Sequence, residues 1–159
     1  MNSLVVALSR EGVTSPVAAA TLAEVARNVL RGEKVAHALI SITLVTSPRI
    51  AAINAEHLKH RGPTDVISFG FVRERGGPVV ADIYIAPTVA RENARRHGVG
   101  FREELMRLVV HGILHALGHD HPEGEARFES PMWRRQEVLL KRAMRSGAKS
   151  KRQAKGPPK

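Results

Sequence analysis

Four histidines fall within the eleven residues His111 to His121 (HGILHALGHDH), in a chain of 159 residues that contains no cysteine. That segment constrains the fold more than any other. His111 and His115 lie four apart in a stretch of helical periodicity, so their imidazoles share one helix face, one turn apart. Gly118 tolerates the left-handed conformation that ends a helix, so the chain can turn there and bring His121 back toward the same point. Three neutral imidazole nitrogens with an open fourth position describe a catalytic zinc site rather than a closed structural one. Without thiols, any metal must be held by His, Asp or Glu. The residues therefore predict one Zn2+ per chain on His111, His115 and His121. His119 is left over, as a donor behind the ligands, a substrate contact or neither. Asp120 either orients a ligand imidazole or faces solvent.

The rest of the chain supplies a scaffold. Leu4 to Leu8 reads as a short strand, and Met1 to Arg10 lacks the basic region and small-residue cleavage site of a signal peptide. Ser15-Pro16 predicts a helix start, with Leu22, Val25, Val29 and Leu30 periodic as far as Gly32. His37 to Thr46 alternates, which predicts a strand with Ile40, Ile42 and Leu44 buried. Ser47-Pro48 opens a second helix that breaks at Gly62-Pro63. Asp65 to Phe71 and Val79 to Ile85 read as strands of a hairpin around the turn Glu74 to Pro78. Pro87-Thr88 opens a helix to His97-Gly98, Arg102 to Leu117 is strongly amphipathic, and Pro122 to Met144 reads as a last helix. The sum is an α+β (α/β layer) domain, a small mixed sheet of about four strands with four to five helices. Residues 1–145 are expected to form this single metal-dependent hydrolase domain.

Charge is concentrated at one end. The formal net charge is +10, and Lys141 to Lys159 carries eight basic residues and no acid. Residues 146–159 are expected to be a basic, disordered tail, either simply solvated or adding sequence-independent affinity for RNA or another polyanion. No apolar run approaches the roughly 20 residues of a membrane span, which leaves the cytoplasm as the default and no membrane partner. Aromatic residues make up 4% of the chain, which favours contact with a nucleic-acid backbone over base stacking.

The spacing H-x-x-x-H-x-x-G-x-x-H matches the metzincin metalloproteases except at one position. Their general base follows the first histidine, and Gly112 stands there instead. A peptidase would lack its proton carrier. Ser9 and Ser68 have no visible triad partners, so nucleophilic catalysis is not supported either.

The run HGILHALGHDH resembles the HGxLHLxGYDH signature of the YbeY family of bacterial endoribonucleases and rRNA maturation factors. Ile53-Asn54 followed by Pro63 to Phe69 (PTDVISF) resembles the family's LN…PTDVLSF, Ala81-Asp82-Ile83 its GDI strand, and Met132 to Leu140 (MWRRQEVLL) the helix after the ligands. The resemblance covers roughly residues 35–145. It implies an α/β layer with the metal helix packed on the sheet, and ligands at His111, His115 and His121. It also implies a single-strand-specific, metal-dependent endoribonuclease of 16S rRNA 3′-end maturation, rRNA processing and ribosome quality control. Its partners would be single-stranded RNA, the 30S subunit and assembly proteins. Two positions depart from the pattern. His119 replaces the signature's Tyr, and Leu58 stands where many members carry an Arg regarded as important for activity.

Lys59 and Arg61 are the neighbouring cations expected to contact RNA and to offset charge building on a phosphate, with Asp120 a further candidate helper. Asp65 reads as a cap, and Asp82 is expected to pack or hydrogen-bond near the site. Two other readings stay open: a zincin-like metallopeptidase or amidase, and a non-catalytic ribosome-assembly factor with structural zinc.

Overall fold

The computed structural model describes residues 2–58, 62, 64–71 and 73–154. Lys59 and Arg61 lie outside the described residues. Four strands, β1 (Ser3–Arg10), β2 (His37–Leu44), β3 (Val66–Gly70) and β4 (Val79–Ile85), form one mixed sheet in the order β1-β2-β4-β3. β1 and β2 run parallel, as do β2 and β4, while β3 and β4 form the antiparallel hairpin expected from the turn between them. Five α-helices, α1 (Ala19–Gly32), α2 (Ser47–His57), α3 (Pro87–His97), α4 (Phe101–Ala116) and α5 (Pro131–Ala154), and a 3-10 turn at Gly124–Glu129 complete the described architecture. The expected α+β layer is present, with α4 lying against the sheet.

Alternation decides which face α4 covers. The register places Val6, Ile40, Ala81 and Ser68 on the same side as Ile42, Ile83 and Ile85. The apolar residues of that side are buried, together with Leu105, Leu108, Val109, Ile113 and Leu114 of α4 and Leu22, Val29 and Leu30 of α1. Ile67, Phe69 and Tyr84 point the other way and pack with Ile50 and Ile53 of α2 in a second, smaller cluster. Asp82 pairs with Phe69 on that far side. Asp82 does not line the cleft, so the expectation that it packs or hydrogen-bonds near the site is not met, because period-two alternation turns it away from the side of Ile83 and α4.

Two glycines let α4 approach the sheet. A Cβ on Gly112 would sit 2.9 Å from Ile83 Cγ2, and one on Gly70 would sit 3.1 Å from the carbonyl oxygen of Ala116. Ser68 Oγ donates to the Gly112 carbonyl at 2.9 Å and pins the helix from below. The residue that breaks the metzincin pattern is thus fixed by packing. A glutamate at 112 would be driven into Ile83 and Val66 rather than toward solvent.

Helix starts depart from expectation in two places. Ser15 does not cap α1; its hydroxyl bonds Val17 in a local turn, and α1 begins only at Ala19. The last helix does not start at Pro122. A 3-10 turn comes first, and Ser130 then caps α5 by accepting from Trp133 N at 3.1 Å, with Pro131 at the first helical position. α5 is traced to Ala154, beyond the expected domain end at residue 145.

Candidate metal centre

The end of α4 sets the geometry of the site. Gly118 takes a φ of 97°, its N–H donates to the His115 carbonyl, and the His119 N–H donates to the Leu114 carbonyl, each at 3.0 Å. This pair of bonds satisfies the last carbonyls of the helix and reverses the chain. His121 comes back over His115 as a result. Each of His111, His115 and His121 offers a ring nitrogen, and the three lie within 4.8 Å of one another.

The opposite nitrogen of every ring is already engaged. His111 Nδ1 meets Gln136 Oε1 at 2.6 Å, His115 Nδ1 the His119 carbonyl at 3.0 Å, and His121 Nδ1 the Pro122 carbonyl at 2.9 Å. All three acceptors are oxygens, so each Nδ1 carries the proton and each Nε2 presents a lone pair. His115 Nε2 and His121 Nε2 stand 3.2 Å apart with no proton to share. Two lone pairs at that distance repel unless a cation lies between them. Tetrahedral ligands at zinc–nitrogen bond lengths stand about 3.3 Å apart. The donor set therefore fits a borderline-soft divalent ion.

The protonation states agree with that fit. Burial, opposed in part by the Gln136 hydrogen bond and aided by the neighbouring rings, pushes the His111 pKa down to about 4. Burial and then His121 lower that of His115. Both imidazoles are neutral at pH 7, as ligands must be.

Behind His111 runs a chain of polar side chains. Gln136 is 1% exposed, and its amide nitrogen donates to Glu137 Oε1 at 3.3 Å. Glu137 accepts from Arg107 Nε at 2.8 Å, and Arg107 also pairs with Glu104 at 2.8 Å and Glu103 at 3.3 Å. Burial works against the Arg107 charge, yet Glu137 and Glu104 raise its pKa above the ordinary arginine range. The network joins α4 to α5 and holds the Gln136 amide in one orientation. Gln136 and Arg107 were not singled out from the sequence. A glutamine in an amphipathic helix, 25 residues from its partner, carries no local signal.

The remaining candidates separate clearly. The His119 carbonyl orients His115, while its ring faces Glu33 at 3.6 Å. Asp120 is exposed and accepts from the His121 N–H at 2.8 Å, so it shapes the turn. Asp65 accepts from Val66 N at 2.9 Å and from Asn93 Nδ2 at 3.0 Å, which ties the start of β3 to α3. Asn54 is buried and donates to the Gly62 carbonyl at 3.0 Å. Leu58, at the end of α2, is 43% exposed and is not among the residues that line the cleft. That cleft has a volume of about 590 Å3, and the three histidines open into it.

Comparison with known proteins decides the lineage. The sequence profile of one family, described as Endoribonuclease YbeY, matches residues 8–144. The chain belongs to the YbeY family. It is 40% identical to the Endoribonuclease YbeY of Chlorobaculum tepidum over 106 residues, 67% of this chain and 76% of that one. It is 36% identical to that of Geobacillus thermodenitrificans over 133 residues, 77% and 84% of the two chains. With the Carboxydothermus hydrogenoformans relative the match is 40% over 87 residues and spans 61% of that protein. A solution structure of a Thermotoga maritima protein shares the fold with a TM-score of 0.61 at 24% identity, over 98% of this chain and 99% of that one. No helix of the described residues is long and apolar enough to cross a membrane.

Proposed function

We propose that this YbeY-family chain is a single-strand-specific endoribonuclease of rRNA maturation that holds one Zn2+ on His111, His115 and His121. The observation that carries the reading is the set of three histidine ring nitrogens within 4.8 Å of one another, each ring fixed by an oxygen on its Nδ1. A zinc ion held there supplies a Lewis acid toward a phosphoryl oxygen and toward water. Three neutral ligands leave its charge uncompensated, which suits an anionic substrate.

The chain's own residues position and attract. Gln136, the His119 carbonyl and the Pro122 carbonyl hold the rings. Of the carboxylates that reach the cleft, Glu104 is paired with Arg107, while Asp65 hydrogen-bonds neutral Asn93 and keeps its charge. Arg96 and Arg127 line the cleft and, among the described residues, form no ion pair, so its net field favours a phosphodiester. Lys59 and Arg61 are proposed as further phosphate contacts. Asp120 is proposed only as a support for the His121 turn. Residues 146–159 are proposed to add salt-sensitive affinity for rRNA, the 30S subunit to be the partner, and the cytoplasm to be the compartment.

By the resemblance, Leu58 stands where many members carry an arginine, and an assembly factor with residual hydrolysis is the alternative that the test separates. The test is cleavage of a labelled single-stranded RNA, beside its duplex and beside casein, by wild type and His115→Ala. Cutting of the single strand alone, lost in the variant, is expected. RNA binding without cutting would favour the assembly factor, and casein cleavage would overturn both.

A further inference from the structure

Aromatic residues are few in this chain, but they are not spread evenly. Its single tryptophan, Trp133, and Phe128 both line the cleft that holds the histidine triad. Phe128 lies on the 3-10 turn and Trp133 in the first turn of α5, separated by the Ser130 cap. Their rings meet edge to face, with centroids 4.7 Å apart. His97, at the end of α3, approaches Phe128 with centroids 6.4 Å apart. Phe128 is 38% exposed, an unusual position for a phenylalanine with no packing duty in either core cluster. The Arg127 guanidinium lies over the Phe128 ring, 4.8 Å from its centre, and Arg96 lines the same cleft.

We propose that Phe128 and Trp133, flanked by Arg127 and Arg96, form a stacking subsite for one unpaired nucleobase next to the histidine triad. The inference deepens the nuclease reading and rests on it for the position of the scissile phosphate. A part-exposed aromatic pair beside cations in a cleft matches the two parts of a nucleotide, with Arg127, now over the Phe128 ring, free to swing to the phosphate as the base takes its place. The base stacks on the ring while the arginines meet the phosphate. The cleft volume of about 590 Å3 lies within the range of ligand-sized sites. The subsite also gives single-strand preference a physical cause. A base in a duplex is stacked and paired on both sides, so it cannot enter without the cost of extrusion. Stacking tolerates any base, so the subsite selects strandedness rather than sequence.

Trp133 is the built-in probe, since a stacked base quenches indole emission and no other tryptophan interferes. A short 2′-O-methyl oligonucleotide is titrated into wild-type protein, Phe128→Leu and Phe128→Tyr, beside an abasic strand of the same length. Quenching is expected with the base-bearing strand. The abasic strand should bind roughly tenfold more weakly, the size of one lost stack. Phe128→Leu should erase that difference and Phe128→Tyr should keep it, with melting temperatures unchanged. Equal binding of both strands to wild type, or an undiminished difference in Phe128→Leu, would overturn the subsite. The same titration on His115→Ala separates the two claims. Base preference that survives there, with no cleavage by wild type, would sink the nuclease reading and leave the subsite standing. Cleavage without base preference would do the reverse.

Discussion

His111 and His121 aim at the same point from walls of different construction. His111 rises from the middle of α4, is backed by buried Gln136, and is tied through Glu137 to Arg107 and Glu104. His121 sits on a partly exposed turn and is held by backbone, its Nδ1 on the Pro122 carbonyl and its N–H on exposed Asp120. The first wall is a side-chain network in low dielectric, where every missing partner strands a buried group. The second is a helix-end turn in which solvent can replace a lost bond. The rigid wall should therefore govern stability and metal affinity, and the open wall should tolerate change and admit substrate.

The largest break in this contrast should come from Arg107→Leu. It leaves Glu104 buried without its cation, and removing one partner of a buried pair costs about 3–5 kcal/mol. Denaturant unfolding of the metal-free protein measures it. A loss below about 1 kcal/mol would mean that the network is solvated and the walls are alike.

Acid should strike the same wall. The folded-state pKa of His111 lies at about 4, below its ordinary value of 6.5. Between those values the unfolded chain binds more protons than the folded one. Metal-free stability should therefore be full above about pH 6.5 and fall as pH drops toward 4, by on the order of 3 kcal/mol. Unfolding free energies at stepped pH give the slope, and a flat profile would contradict a buried neutral His111.

Smaller effects sharpen the comparison. Gln136→Leu keeps the shape of a buried side chain but removes the acceptor from His111 Nδ1, and should weaken metal binding about 10–100-fold. Asp120→Ala, on the open wall, should change it by less than about threefold, because the turn keeps its Gly118 and His119 bonds. Competition against a chromophoric chelator compares the two directly, and equal effects would erase the distinction between the walls.

What was legible in the sequence divides along similar lines. Alternation in β2 and β4 and the stripe on α4 gave the core, because burial on one side leaves a period in the chain itself. The histidine spacing was readable for the same reason, since a helix and a glycine turn are local. The dipeptide Ser-Pro was not. It occurs at Ser15, Ser47 and Ser130 with three outcomes: a local turn, the first residues of a helix capped by Thr46, and a true N-cap. Local propensity permits all three, and packing around each decides among them. Gln136 and the pairing of Phe128 with Trp133 were hidden because their roles depend on which elements meet. The low aromatic content pointed away from base stacking, yet composition says nothing of placement.

The most direct measurement is metal content by elemental analysis with X-ray absorption at the metal edge, on wild-type protein and on His115→Ala checked for folding by its melting curve. About one zinc per chain with three imidazole nitrogens at about 2.0–2.1 Å, lost in the variant, is the predicted result. A folded wild-type chain that binds no divalent metal, or a variant that keeps its metal in full, would contradict the assignment of His111, His115 and His121 as a metal centre.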